Sequence, residues 1–426
     1  MSSSRPHVVI IGGGIIGLCT AYYLLTGPEP PRVTIVENTH IAAASSSKAA
    51  GFVGGNKGWH APANVELAKL SFDAITDLAA KLDGASSFGW RLITTTGVKV
   101  GNQDKMSGYR TLPVADAVDA TSGIGGWANG EKVVLINEDT GVMLPGAFCA
   151  RIWAECTAKG LATLIATPTG RVGKTLNTTE GALQFDKLLL AAGPWTADVC
   201  ETLGLSRVPI SSLPGHHIQI KPALPEGMHV LPDESLFCGI GAGDANILES
   251  IASDIPDYEE GSWERTQGWS RTVEFFPRAD GNVYAAGENG IPKTIGDRAA
   301  DARLNRLPPT AARCRAHVDD ELVARLVRAA KAVSPALDIE KGAKLVEADL
   351  CYRPVTPDKC PIIGEWAEDI FVSSGHGPWG ITLSAGSGIV MAELLRADLA
   401  HRKPQLSADI SLLQPHRFEP KRAAKL

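Results

Sequence analysis

The first forty residues constrain this chain more than any other stretch. His7-Val8-Val9-Ile10-Ile11 is an apolar run of strand length. It is followed at once by Gly12-Gly13-Gly14-Ile15-Ile16-Gly17, and then by Leu18 to Leu25, whose pattern predicts a helix. In that setting each glycine has a separate physical use. Gly12 permits a tight turn, Gly14 lets the backbone approach a pyrophosphate, and Gly17 allows close packing of helix on strand. The helix N-terminus, at Ile15 and Ile16, offers amides to the phosphates. A second strand, Arg32 to Val36, leads into Glu37 and Asn38, with Glu37 twenty residues after Gly17. A carboxylate there accepts hydrogen bonds from adenosine ribose hydroxyls and disfavours a 2′-phosphate. A glycine-rich turn without a ligand would need none of this strand, helix, second strand and acid in series.

Composition removes several classes of function. At about 150 residues per domain, 426 residues predict two or three domains with ample core. Hydrophobic residues at 44% and charged residues at 21% are globular proportions, which excludes a disordered chain. The balance of 47 acidic to 41 basic residues gives −6, and no basic run exceeds Lys421-Arg422, so a nucleic-acid groove is not expected. The most apolar stretches, Val8 to Ile11 and Leu188 to Ala192, are strand-length, so no membrane span is expected. The start of the chain lacks the apolar core and cleavage site of a secretory signal. The eight cysteines show no CxxC pair and no framework, which predicts free thiols in a reducing compartment. Ala424-Lys425-Leu426 is a variant of the Ser-Lys-Leu address. It predicts a peroxisomal import receptor as a partner and a peroxisomal location; the alternative is a frayed basic tail on a cytoplasmic protein.

The segment Ile41 to Gly55 is small, polar and glycine-punctuated, and here the chain resembles the D-amino-acid oxidase superfamily, which includes sarcosine oxidase and glycine oxidase. The resemblance implies FAD, with Ser45, Ser46, Ser47, Lys48, Ala49 and Gly51 running along the pyrophosphate and beneath the flavin. Asp186 to Trp195 resembles the superfamily's second FAD-contacting strand, which implies contacts from Ala192, Gly193 and Trp195. Gly170-Arg171-Val172 is similar to the stretch that reads adenine, with Val172 as the implied contact. Near the C-terminus, Ile370 to Ser374 predicts a strand and Ile381 to Leu395 a helix. The turn between them, through Gly375, His376, Gly377, Trp379, Gly380 and Ile381, is placed by the resemblance at the flavin edge that gains negative charge on reduction.

Leu350 to Gly364 carries two residues whose roles follow from the resemblance alone. Cys351 falls where sarcosine oxidases carry the cysteine bonded to the flavin 8α carbon; the other reading is a buried thiol that packs as a small hydrophobe. Arg353 falls where glycine oxidase carries the arginine that clamps the substrate carboxylate, a task suited to a planar guanidinium. His376 and Trp379 join Arg353 as candidate catalytic residues by virtue of their turn. The implied reaction oxidises the C–N bond of an amine, most naturally an amino acid or N-substituted amino acid. Hydride passes to flavin N5, the imine hydrolyses, and dioxygen reoxidises the flavin to give peroxide. No metal is required.

One departure bears on the acceptor. A gapless match through Phe276-Pro277, Gly281 and Gly287 puts Ala285 where sarcosine oxidase has its dioxygen-activating lysine, so oxygen use requires another cation such as Lys48 or Lys57. A dehydrogenase with a different acceptor, and a flavin-bearing binding or trafficking protein with a decayed amine site, therefore stay open. The implied fold class is α/β: a Rossmann-like FAD-binding domain of the glutathione-reductase type, with a second, mixed antiparallel-sheet substrate domain. The FAD-binding domain is assigned to 1–89, 142–210 and 341–426, and the substrate domain to 90–141 and 211–340.

Overall fold

The computed structural model describes residues 5–55, 57–100, 127–129, 131–136, 139–224, 226, 231–240, 272–287 and 307–418. Its first layer is a six-stranded sheet in the order Ile362–Ala367, Ile370–Ser374, Lys187–Leu190, His7–Ile11, Arg32–Glu37, Ala162–Ile165. All pairs are parallel except Ile362–Ala367 with Ile370–Ser374. The continuous apolar run of the first strand has a simple cause, because both faces of this sheet are covered. Val8 and Ile10 pack with helices Ile15–Thr26, Pro145–Ala158 and Ser384–Leu399. Val9 and Ile11 pack on the opposite face with Leu176, Phe185 and Cys200.

Two helices approach closely there because one of them offers no side chain at the crossing. A Cβ on Gly388 would lie 2.7 Å from Cys19, and one on Gly386 would lie 2.6 Å from the carbonyl oxygen of Leu67. Helix Ser384–Leu399 is thus wedged between Ile15–Thr26 and Val65–Lys81 and is buried on several sides. It starts later than the sequence pattern predicts, since 377–383 form a short 3₁₀ turn and a further turn first. Arg396 near its end donates to the carbonyls of Tyr23 and Leu24, supplying partners to the C-terminus of Ile15–Thr26.

The second layer is a seven-stranded sheet in the order Lys344–Val355, Ser211–Lys221, Val283–Ala286, Thr272–Pro277, Glu234–Ile240, Thr94–Val100, Glu131–Ile136. Its pairs are antiparallel except Glu234–Ile240 with Thr94–Val100. Strand Lys344–Val355, which the sequence reading assigned with the FAD-binding part, hydrogen-bonds along its length into this second sheet. One face of the sheet, through Val273, Phe275, Val283 and Ala285, is sealed by helix Asp320–Val333. The other face looks onto the C-terminal edge of the first sheet, and a cavity lies between them. No helix among the described residues is long and apolar enough to cross a membrane.

Candidate active site

The cavity has a volume of about 520 Å³, within the range of small-molecule sites. Its nucleotide end is built by the first sheet. Gly12 has φ +112°, and a Cβ there would lie 2.3 Å from the Ala191 carbonyl oxygen, so the turn is tolerated only by glycine. Gly12 N–H donates to Val36 O at 2.9 Å, which locks the turn onto the second strand. Gly14, Ile15 and Ile16 bring the N-terminal end of helix Ile15–Thr26 to the cavity wall. Gly17 is absent from that wall. Its Cβ would meet Gly12 O at 2.2 Å, so its contribution is close packing of helix on turn.

Glu37 and Asn38 line the same end. The Glu37 carboxylate accepts from Gly13 N–H at 2.9 Å and from Thr39 N–H at 3.1 Å, so it also pins the glycine turn. Each of those oxygens keeps a further lone pair for a ribose hydroxyl. Val172 does not belong here. It is 73% exposed at the end of strand Pro168–Val172, which forms a hairpin with Thr175–Thr178, and the wall at this point is Pro168. The hairpin leads away from the cavity, a course that short-range pattern in the sequence does not reveal.

Ser45, Ser46, Ala49 and Gly51 line the middle of the cavity, whereas Ser47 and Lys48 do not. Ser46 Oγ accepts from Ile15 N–H at 2.9 Å, and Ser45 Oγ donates to Tyr352 O at 2.6 Å. Ser47 packs against Gly146. Lys48 turns away to an ion pair with Asp349 at 2.8 Å, and its carbonyl accepts from Tyr284 Oη–H at 2.9 Å. The short helix Ser45–Lys48 is therefore tied across strand Lys344–Val355, and Lys48 is committed to that tie. Lys57, the other alternative cation, has a side chain outside the described residues.

Ala192, Gly193 and Trp195 line the cavity from the end of Lys187–Leu190, as do Gly375, His376, Gly377, Trp379, Gly380 and Ile381 from the turn after Ile370–Ser374. His376 forms part of the wall and is tied to the helix behind it. Its Nε2 lies 3.0 Å from Ser387 Oγ, and complete burial pushes its pKa down to about 3. The ring is packed neutral, with Ser387 as the partner of its Nε2. Trp379 presents its ring beside His60 and Trp59, with centroids 4.7 and 6.3 Å away.

The far end is formed by the second sheet. Alternation along its strands decides what faces the cavity: Glu274, Phe276, Tyr284, Ala286, Cys351 and Arg353 do. Ala285, aligned above with an oxygen-activating lysine, is fully buried on the opposite face against helix Asp320–Val333. Position 285 does not meet the cavity, so the lack of a cation there leaves the cavity's charge unchanged. Cationic lining comes instead from Arg353 and from Lys359, which sits at φ +61° in the turn after Thr356. Lys359, Glu274 and Tyr284 were not singled out from sequence. Period-two alternation through Glu274, Phe276, Tyr284 and Ala286 is the signal that would have found two of them. Cys351 is the one cysteine of the eight that lines the cavity.

The glycine turn and the strand-end acid make one end of the cavity a dinucleotide cradle, and the second sheet closes over it. The chain belongs to the DAO family of FAD dependent oxidoreductases, whose model matches residues 7–394. It is 27% identical over 434 residues to "Putative oxidoreductase C1F5.03c" of Schizosaccharomyces pombe, covering 97% of this chain and 99% of that one. It is 28% identical over 327 residues to glycine oxidase of Pseudomonas putida, covering 67% of this chain and 82% of the relative. The crystal structure of glycine oxidase from Geobacillus kaustophilus has the same fold, with a TM-score of 0.65 at 18% identity, covering 97% and 99% of the two chains. The residues present fit FAD: Gly12 and Gly14 line the cavity without side chains, the N-terminal end of helix Ile15–Thr26 reaches the same wall, and the Glu37 carboxylate lines that end beside Asn38.

Proposed function

We propose that this protein oxidises the C–N bond of a primary or secondary amine bearing a carboxylate, an amino acid or N-substituted amino acid. The observation that carries the reading is that Arg353 enters the cavity whose opposite end is the nucleotide cradle. When bound, FAD supplies the acceptor for the hydride leaving the substrate carbon. Arg353 holds the carboxylate bidentately and thereby fixes the position of the α-carbon. Phe237, Phe276, Tyr284 and Trp379 supply apolar walls that exclude water and strengthen that charge pairing. The substrate amine has to react unprotonated.

Bleaching of the bound flavin by an amino-acid panel under anaerobic conditions tests the reading, and peroxide yield in air separates an oxidase from a dehydrogenase with another acceptor. Arg353→Ala should raise KM for the best carboxylate substrate by about 100-fold, a loss of about 3 kcal/mol. An unchanged KM removes Arg353 from carboxylate binding, and no bleaching with any amine favours a binding protein.

Covalent attachment of FAD through Cys351 belongs to the same proposal, supported by the place of that thiol in the cavity wall. Acid precipitation should then give a yellow pellet, and Cys351→Ser should release the colour to the supernatant. A colourless wild-type pellet would dispose of the bond.

A further inference from the structure

Strand Ser211–Lys221 runs through the second sheet, paired on one side with Lys344–Val355 and on the other with Val283–Ala286. Gly215 lies inside it, directly opposite Cys351, and the partner of Arg353 is Leu213. Glycine inside a strand costs stability, about 0.5–1 kcal/mol relative to alanine in regular structure, and it often marks a place where another group approaches closely. Gly215 is not among the glycines of positive φ, so its backbone conformation is open to any residue. The approaching group is the guanidinium of Arg353. A Cβ on Gly215 would lie 2.7 Å from Nη2, 2.8 Å from Cζ and 3.3 Å from Nε of that side chain. Arg353 therefore leans along the sheet over the bare Cα two rows from its own position, into the row of Cys351.

We propose that Gly215 is a positioning residue for Arg353: the absence of a side chain at 215 forms the seat that holds the guanidinium low against the sheet, beside Cys351. The assignment rests on the reading of Arg353 as the carboxylate clamp. With alanine at 215 the guanidinium must retreat by roughly 1 Å to restore ordinary carbon contact distances. The closest atoms belong to the tip of a flexible side chain, so the fold absorbs the change while the site loses its geometry. Displacements of that size in a positioning group cost up to about 100-fold.

The test is a two-by-two set on the FAD-loaded protein: wild type, Gly215→Ala, Arg353→Ala and the double variant. Each is titrated with anthranilate, an aromatic amine with a carboxylate, and binding is read from the perturbed flavin absorbance. Gly215→Ala is expected to weaken anthranilate about tenfold or more, with Gly215→Val approaching the Arg353→Ala value. In the Arg353→Ala background, Gly215→Ala should change binding by less than about twofold, because the group it displaces is gone. Equal losses in both backgrounds would show a generally disturbed sheet and overturn the proposal, as would a Gly215→Ala value equal to wild type. If Arg353→Ala binds anthranilate like wild type, it is the carboxylate reading that fails. Should Gly215→Ala not accumulate as folded, flavin-loaded protein, the seat is part of the fold and the proposal falls with it; Gly215→Ser, of similar bulk, repeats that check.

Discussion

Gly12→Ala is expected to give protein with little or no bound flavin, an FAD affinity at least about 100-fold lower and a reduced melting temperature. Two independent costs combine. At φ +112° any side chain is strained. The new Cβ would also lie 2.3, 2.7 and 2.9 Å from Ala191 O, Ala191 C and Ala192 N, all of them backbone atoms that cannot rotate aside. Both segments are held, Ala191 N–H by Ile11 O at 2.8 Å and Gly12 N–H by Val36 O at 2.9 Å, so relief requires the junction of three strands to move. That junction is the wall of the nucleotide end. A loss of about 3 kcal/mol corresponds to the stated factor in affinity. Gly170→Ala is the control, since a Cβ there meets nothing within 4 Å and its φ is not positive. Stoichiometric flavin at wild-type affinity in Gly12→Ala would refute the cradle.

Acidification from pH 6.5 to 5 should lower the melting temperature markedly. Burial pushes the His216 pKa down to about 4, and those of His217 and His376 down to about 3. His216 Nε2 accepts from Asp319 N–H at 3.0 Å, and the His217 ring stacks on Tyr284 at 5.0 Å, so both are packed as neutral rings. Their folded values lie below the unfolded value of 6.5, so the unfolded chain binds more protons in the interval between. The stability they contribute is complete above pH 6.5 and is lost as pH falls toward 4 and 3. Once unfolded histidines are fully protonated, three such groups set an upper limit of about 4 kcal/mol per pH unit. Carboxylates paired in the fold, such as Asp358 with Arg417 and Asp369 with Lys187, add losses mainly below pH 5. The interval from 6.5 to 5 therefore isolates the histidines. His376→Asn should flatten the slope there by about one proton, and a melting temperature constant from pH 7 to 5 would contradict the neutral packing.

Much of the nucleotide end was legible because its determinants are local. Gly12, Gly14, Glu37 and the apolar run before them act within thirty residues, and the turn of Gly375 to Ile381 is equally short-range. Val172 failed for the converse reason, since the course of a hairpin relative to a sheet depends on what packs behind it. The turn that brings His376 to the cavity was legible, but the hydrogen bond of its ring to Ser387, on the next helix, was set by tertiary packing.

The glycine pattern, the strand-end acid and the apolar run before them were set by sequence alone, because backbone sterics and hydrophobic periodicity operate between near neighbours. Which cations meet the cavity was decided only by tertiary structure. Lys48 is withdrawn by Asp349, some three hundred residues away, and Ala285 faces the core by strand parity. Arg353 lies over Gly215 because two strands distant in the chain are paired in one register. Charge at a site depends on long-range pairing and burial, which a one-dimensional pattern does not encode.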